Sequence, residues 1–325
     1  MSKAIRIHAH GGPEQMRWEE VEIGKPGSGE VRLRHTAVGL NFIDVYHRTG
    51  LYPLPVLPAS IGMEGAGIVV EVGPGVTEVD VGDRVAYAMG APGSYCEERI
   101  YPAARLVRLP DDIDDKHAAA MMLQGMTAQY LLRSTYRVKA GDTILIHAAA
   151  GGVGLIACQW AKHLGATVIG TVGSDEKAAL AHRHGCDHPI VYSRENFVER
   201  VKEITDGKGV PVVYDSVGKD TFYQSLDCLQ PRGLLASFGQ SSGAIGPVDL
   251  GILAAKGSLY VTRPTLGTYA GPRPDLLHCA KELFDVVTAK AVKVEINQTY
   301  PLAEAAQAHR DLEARKTTGS TILLP

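Results

Sequence analysis

Gly151, Gly152 and Gly154 stand directly behind the apolar run Thr143-Ile144-Leu145-Ile146 and the small residues Ala148-Ala149-Ala150, in the spacing of a phosphate cradle. The turn in such a cradle needs glycine because the backbone itself must approach a pyrophosphate. The helix that follows offers unpaired N–H groups to the phosphate oxygens. Here Gly151 would permit the approach, Gly152 and Val153 would open the helix, and Gly154 would let it pack closely on the strand. Ala149 takes the place of the first glycine in G-x-G-x-x-G, a departure that a tight turn tolerates. Small-residue turns also join strands to helices for packing alone, so the string gains its weight from its neighbours.

Those neighbours form a βαβ unit. An apolar stripe through Ile156, Trp160 and Leu164 ends at Gly165, and Thr167-Val168-Ile169-Gly170-Thr171-Val172 reads as a second buried strand. In such units an acid at the end of the second strand binds the adenosine ribose hydroxyls and repels a 2′-phosphate. The end here is Val172-Gly173. Asp175 and Glu176 are better placed to open the next helix behind Ser174, where negative charge suits the dipole. Lys177, one turn on, can reach a phosphate, and a charge-assisted contact of that kind is worth roughly 1.5 to 3 kcal/mol. The expected cofactor is therefore NADPH rather than NADH, against the plainer reading of Lys177 as a solvated helix residue.

Composition bounds the rest. A chain of 325 residues with 45% hydrophobic residues has ample core for two domains. A net charge of -3 and the lack of a basic run argue against a nucleic-acid partner. Cys96, Cys158, Cys186, Cys228 and Cys279 are odd in number, widely spaced and without a C-x-x-C pair, which predicts neither a disulfide framework nor a zinc knuckle. The strand-like start Met1-Ser2-Lys3-Ala4-Ile5-Arg6-Ile7, and no apolar run near the roughly 18 residues needed to span a bilayer, lead us to expect an unprocessed, soluble, cytoplasmic protein with no membrane partner.

The pattern changes around residue 124. Up to Val107 the chain shows short strands between turns such as Gly73-Pro74-Gly75, the mark of a β-rich domain. From Gln124 to Val261 strands alternate with helices, which predicts a doubly wound parallel sheet of α/β class, with further strands at Pro189 to Tyr192, Pro211 to Asp215 and Gly233 to Gly239. The tail carries helical patterns at Leu276 to Ala289 and Leu302 to Arg315 and a closing strand from Ser320 to Leu324, and its position suggests a return to the first domain. The expected division is 1–123 with 264–325, and 124–263.

Together, Gly141-Asp142, Ala150-Gly151-Gly152-Val153-Gly154, Gln159, Lys162 and Gly62-Met63-Glu64-Gly65-Ala66-Gly67 resemble the quinone oxidoreductase, or zeta-crystallin-like, branch of the medium-chain dehydrogenase/reductase family. Asn41-Phe42-Ile43-Asp44 and Gly50-Leu51-Tyr52-Pro53 extend the resemblance over essentially the whole chain. It implies a GroES-like, partly open β-barrel domain built from both chain ends, an inserted Rossmann domain, an active site in the cleft between them and a homodimer. It also brings a comparison. Zinc-dependent relatives carry cysteine where this chain has Asn41 and histidine where it has Met63, and amide and thioether are poor zinc ligands. The stretch matching their structural zinc lobe, around Gly90 to Glu98, offers only Cys96, so no zinc is expected. His182, His184 and His188 form the one tight histidine cluster and read as a solvated face.

Without a Lewis acid for alcohol oxidation, the expected reaction is transfer from NADPH to an already electrophilic acceptor: a quinone, by one-electron steps through a semiquinone, or alternatively the double bond of an enone or alkenal. Orientation alone can supply on the order of 7 to 11 kcal/mol, and no catalytic dyad is required. By resemblance Asn41, Phe42, Asp44 and Tyr46 line the nicotinamide side, with Tyr46, Tyr52 and Arg263 toward the substrate; Asn41 and Asp44 are the catalytic candidates, and Asp44 the acid to test as a proton relay. Glu64 is assigned a structural role. Thr127 and Tyr130 are expected to begin a helix facing the cofactor. Gly173, Ser174, Lys177, Tyr192 and Arg315 are expected around the 2′-phosphate. Ser216, the run Phe238-Gly239-Gln240-Ser241, and Pro264-Thr265-Leu266 follow later strands, where strand ends meet ligand. A cofactor-bound structural or RNA-binding protein is the alternative of another class.

Overall fold

A computed structural model describes residues 2–325, which cluster into two compact units. The first takes in the described residues through Met126 with Ala270–Phe284 and Val294–Pro325, and the second comprises Thr127–Tyr269 with Asp285–Lys293.

In the first unit the strand Glu30–Leu40 is the organiser. Val31, Leu33 and His35 point inward while Arg34 is exposed, the two-residue period of a strand with one face on a core. It pairs antiparallel with Glu64–Val72, Glu98–Pro102 and Ser320–Leu324, so a strand at the C-terminal end lies beside one from near the N-terminal end. Ile296–Pro301, Arg84–Tyr87 and Val107–Arg108 complete a seven-stranded sheet, and Met16–Val21, Ser2–Ile7 and Ala59–Ser60 form a smaller one. Val31, Leu33, Val69, Val85, Tyr87 and Leu106 fill one core; Ile5, Ile7, Val38, Leu40, Tyr95 and Leu323 fill another.

The second unit holds the expected doubly wound sheet. Its six strands, in chain order Thr143–Ile146, Thr167–Val172, His188–Val191, Val210–Asp215, Leu229–Ser237 and Tyr260–Thr262, all pair parallel. Their spatial order is third, second, first, fourth, fifth, sixth. The order reverses between the first and fourth strands, and ligands of such sheets bind outside the strand C-termini at that switch point. Leu145, Ile169, Val213 and Leu235 stand in one row across the sheet and are buried on one face with Phe197, Val201, Phe222 and Leu226.

Several boundaries differ from the sequence reading. The fifth strand starts earlier, at Leu229, and stops at Ser237, where the Phe238 amide makes the last ladder bond to the carbonyl of Asp215. The tail helix runs Arg273–Thr288, and the pattern at 302–315 resolves into a 3-10 turn, Leu302–Glu304, before the helix Ala305–Glu313. Thr127 and Tyr130 close a helix rather than begin one. That helix, Asp115–Tyr130, starts where the Asp114 carboxylate accepts the His117 amide, and no proline breaks it before residue 130. Among the described residues no helix is long and apolar enough to cross a membrane.

Candidate functional site

The cradle in the second unit is built at the end of the first strand. Gly151 is the N-cap of the helix Gly152–His163 in extended conformation, no side chain caps it, and no acid lies in the first turn. The first-turn N–H groups are thus left to an outside acceptor, which suits an anion. Residues 151–153 are partly exposed while Gly154 is buried, and a Cβ on Gly154 would lie 2.3 Å from the Ala148 carbonyl oxygen. The two glycines therefore divide the work as the motif implies: access at 151, close packing at 154.

At the end of the second strand, Ser174 caps the helix Asp175–Arg183 by accepting the Lys177 amide at 3.3 Å. Tyr192 lies across from it; a Cβ on Gly173 would meet its hydroxyl at 2.8 Å. Gly173 and Tyr192 thus lie beside each other, and the Lys177 backbone is held to Ser174. Arg194, which no local pattern singles out, grips both oxygens of Asp175 at 2.7 and 2.6 Å and holds that carboxyl below its ordinary range through this hydrogen bonding. The acid nearest the strand end is thereby paired with a cation, in an ion pair exposed to solvent. Arg315 sits in the other unit, exposed, on the turn behind the helix Ala305–Glu313.

The ends of the fourth, fifth and sixth strands gather the next group. Ser216 follows the fourth strand and its carbonyl accepts the Ser241 amide at 3.1 Å. Gly239 is packed so closely on it that a Cβ would stand 2.6 Å from the Ser216 carbonyl oxygen. Phe238 and Gln240 are half-buried, and Ser241 is exposed. Arg263 donates to the Ser237 carbonyl at 3.0 Å, Pro264 is buried, and Thr265 joins Thr268 through their hydroxyls ahead of the short helix Leu266–Tyr269. Tyr269 stacks on Tyr130, with ring centroids 4.7 Å apart and planes 9° apart, one turn beyond the buried Thr127.

The candidates of the first unit lie on the helix Phe42–Thr49. The Asn41 amide N–H donates to Asp44 Oδ2 at 2.9 Å, while the Asn41 side chain donates to Glu64 Oε2 at 2.7 Å and accepts from Gln124 at 3.2 Å. Both ends of that side-chain amide are therefore engaged. Glu64 also takes the Leu123 amide, in keeping with a structural role, and burial pushes its carboxyl up to about 8, with the charge of Asp44 adding to the effect. Asp44 is wholly buried. Burial pushes it up to about 7, although Asn41 and Tyr95 donate to it. Half-buried Phe42 and nearly buried Tyr46 follow, and Tyr46 meets the edge of Tyr52 at 5.2 Å.

Behind Asp44 runs a chain the sequence did not reveal. Arg48, 1% exposed, holds Glu313 through two hydrogen bonds and donates to His309 Nδ1 at 3.0 Å. Arginine has no acceptor, so His309 carries its proton on Nε2 and passes it toward Tyr95, whose hydroxyl donates to Asp44. These partners are separated by up to 265 residues, and no local pattern could join them. In the histidine cluster, His182 and His184 turn Nδ1 to the carbonyls of Cys186 and Leu180.

Comparisons with known proteins agree with this architecture. The family model described as alcohol dehydrogenase GroES-like domain matches residues 27–138, and that described as zinc-binding dehydrogenase matches 152–273. The chain is 58% identical to a quinone oxidoreductase of Pseudomonas aeruginosa over the full length of both. It is 52% identical to a 2-haloacrylate reductase of Burkholderia, covering 100% of this chain and 99% of that one. Among solved structures, Escherichia coli quinone oxidoreductase complexed with NADPH superposes with a TM-score of 0.98 at 51% identity, covering 99% of this chain and 100% of that one. The chain belongs to the quinone oxidoreductase, zeta-crystallin-like branch of the medium-chain dehydrogenase/reductase family.

Proposed function

We propose that this chain is an NADPH-dependent quinone reductase that works without zinc. The observation that carries the reading is the pairing of an uncapped helix N-terminus at Gly151 with the Gly173, Ser174, Lys177 and Tyr192 cluster, where Arg194 is paired with the nearby Asp175. Gly151, Gly152 and Val153 would hold the pyrophosphate, and the cluster at the second strand end would hold the 2′-phosphate. Ser216, Phe238, Gly239, Gln240, Ser241, Pro264, Thr265 and Leu266, at later strand ends, would hold the remainder. Bound there, NADPH supplies reducing equivalents to an electrophilic acceptor. Support comes from the similarity to quinone oxidoreductases, one of them complexed with NADPH.

Zinc independence rests on Asn41, whose amide is engaged at both ends by Glu64 and Gln124, and on Met63 in place of a stronger ligand. The transfer to a quinone would proceed by single-electron steps through a semiquinone. Enone or alkenal reduction is the second reading, favoured by the identity with a 2-haloacrylate reductase. A homodimer is proposed on the edge strand Tyr260–Thr262, where Tyr260 is 62% exposed, and a cytoplasmic location on five free, buried cysteines.

The test is steady-state oxidation of NADPH and NADH with a benzoquinone and with a cyclic enone, with and without chelator. We expect preference for NADPH and the quinone, and no effect of chelator. Lys177→Ala should raise the KM for NADPH by about 10- to 100-fold and leave that for NADH nearly unchanged. Equal use of both cofactors by the wild type would refute the cofactor assignment.

A further inference from the structure

His147 is 1% exposed, stands between the first strand and the cradle, and makes two side-chain hydrogen bonds that the proposed reaction does not use. Its Nδ1 lies 2.8 Å from the Thr171 hydroxyl, and its Nε2 lies 2.9 Å from that of Ser225. The Ser225 hydroxyl donates its hydrogen to Asp215 Oδ2 at 3.2 Å, so toward His147 it can only accept. Nε2 therefore carries the imidazole proton, and Nδ1 accepts from Thr171. Phe197 meets the ring at its edge, and burial holds the imidazole below its ordinary pKa range, with Asp215 opposing.

The far end of this chain is an anchored carboxylate. Asp215 Oδ2 also accepts Thr221 Oγ1 at 2.7 Å, and Oδ1 accepts the amides of Val217 and Gly218 at 2.7 and 3.1 Å. Its backbone carbonyl takes the amides of Phe238 and Gly239. Thr171 lies on the second strand, His147 just beyond the first, and Asp215 at the end of the fourth, so the hydrogen bonds cross the switch point of the sheet. On the cradle side, His147 precedes Ala148, a non-glycine residue held at φ 54°, a conformation that persists only when its surroundings impose it.

We infer that the relay Thr171–His147–Ser225–Asp215 is a positioning device, locked in one tautomer, that sets the spacing between the phosphate cradle and the Ser216–Gly239 turns and so governs dinucleotide affinity. The inference rests on the proposed NADPH reading. None of the four side chains need touch the ligand. Their direction is fixed by Asp215, and a break at either hydroxyl frees the ring to turn and relaxes the Ala148 turn.

Thr171→Val keeps the shape and removes one donor; Ser225→Ala removes the other link. NADPH binding is measured directly by fluorescence titration, and the melting temperature of each cofactor-free protein is measured alongside. Each single variant is expected to raise the Kd roughly tenfold. The double variant should be scarcely worse than either single, because both cut the same chain. Long-range proton–nitrogen correlation on the wild-type protein should show neutral His147 with its proton on Nε2. Lower melting temperatures with unchanged Kd, additive effects, or a proton on Nδ1 would overturn the inference. Failure of the wild type itself to bind NADPH would instead overturn the reading on which it rests.

Discussion

Replacement of Gly154 by valine is expected to abolish measurable NADPH binding while leaving most of the protein folded. A Cβ at this position would lie 2.3 Å from the Ala148 carbonyl oxygen and 2.8 Å from the Ala149 carbonyl carbon and Cα. All three are backbone atoms of the turn that shapes the cradle, so no side chain can swing aside. The helix Gly152–His163 must move away from the first strand, carrying its N–H groups with it. Overpacking of this kind costs about 1 to 3 kcal/mol of stability. The loss of binding should be larger in proportion, at least about 100-fold in Kd, because the anion site is made of the displaced amides. Gly151→Ala is the informative companion: its Cβ would meet only the Ala148 carbonyl, at 3.3 Å, so melting should change little. Calorimetric titration with NADPH, paired with thermal melts of both variants, checks the difference. Binding by Gly154→Val within tenfold of wild type would show that the cradle does not depend on this contact.

The cradle was legible because its determinants are local. A run of buried strand residues, a small-residue turn and an apolar helical stripe within 143–164 leave few alternatives, and the alternation that follows leads to a parallel doubly wound sheet. Helix limits were less legible where capping gave no warning. The segment Asp115–Tyr130 carries Gly125 in its interior, where a Cβ would stand 2.5 Å from the Leu283 side chain. Least legible were the buried polar chains. Arg194 with Asp175, His309 with Tyr95 and Arg48, and His147 with Ser225 are each joined only by the fold. A lone histidine or arginine in a sequence carries no sign of whether it will be buried. Asp44 was singled out by resemblance, but its burial, the feature that sets its proton affinity, could not be read from Asn41-Phe42-Ile43-Asp44.

That burial leads to the second expectation, a stability maximum near pH 6.5 with a fall on the alkaline side. Asp44 is pushed up to about 7 and Glu64 to about 8, in both cases mainly by burial, so the folded protein holds protons there that the unfolded chain has released. Stability from a raised acid is complete below its unfolded pKa, near 4, and is lost as pH rises through the folded value. Buried histidines act in the opposite sense. His35 and His309 are pushed down to about 3, and His47 and His147 are also lowered, in each case mainly by burial, so protonation of the unfolded chain below about pH 6.5 favours unfolding. Below that pH the four histidines outnumber the two acids and stability falls with acid. Above it the unfolded histidines, half protonated at pH 6.5, shed their remaining protons and offset part of the loss from the acids, leaving a net fall on the order of 1 kcal/mol between pH 6.5 and 8.5. The melting temperature should drop by roughly 1 to 2 °C over that interval. Asp44→Asn tests the origin with little steric change. Its oxygen can still accept from Asn41 and Tyr95, and its NH2 group takes the place of Oδ1, which has no hydrogen-bond partner. Because the charge of Asp44 also raises Glu64, this one substitution should reduce the alkaline drop by half or more. A wild-type melting temperature that holds or rises from pH 6.5 to 8.5, or an equal drop in Asp44→Asn, would show that both carboxyls are already ionised in the folded protein at neutral pH.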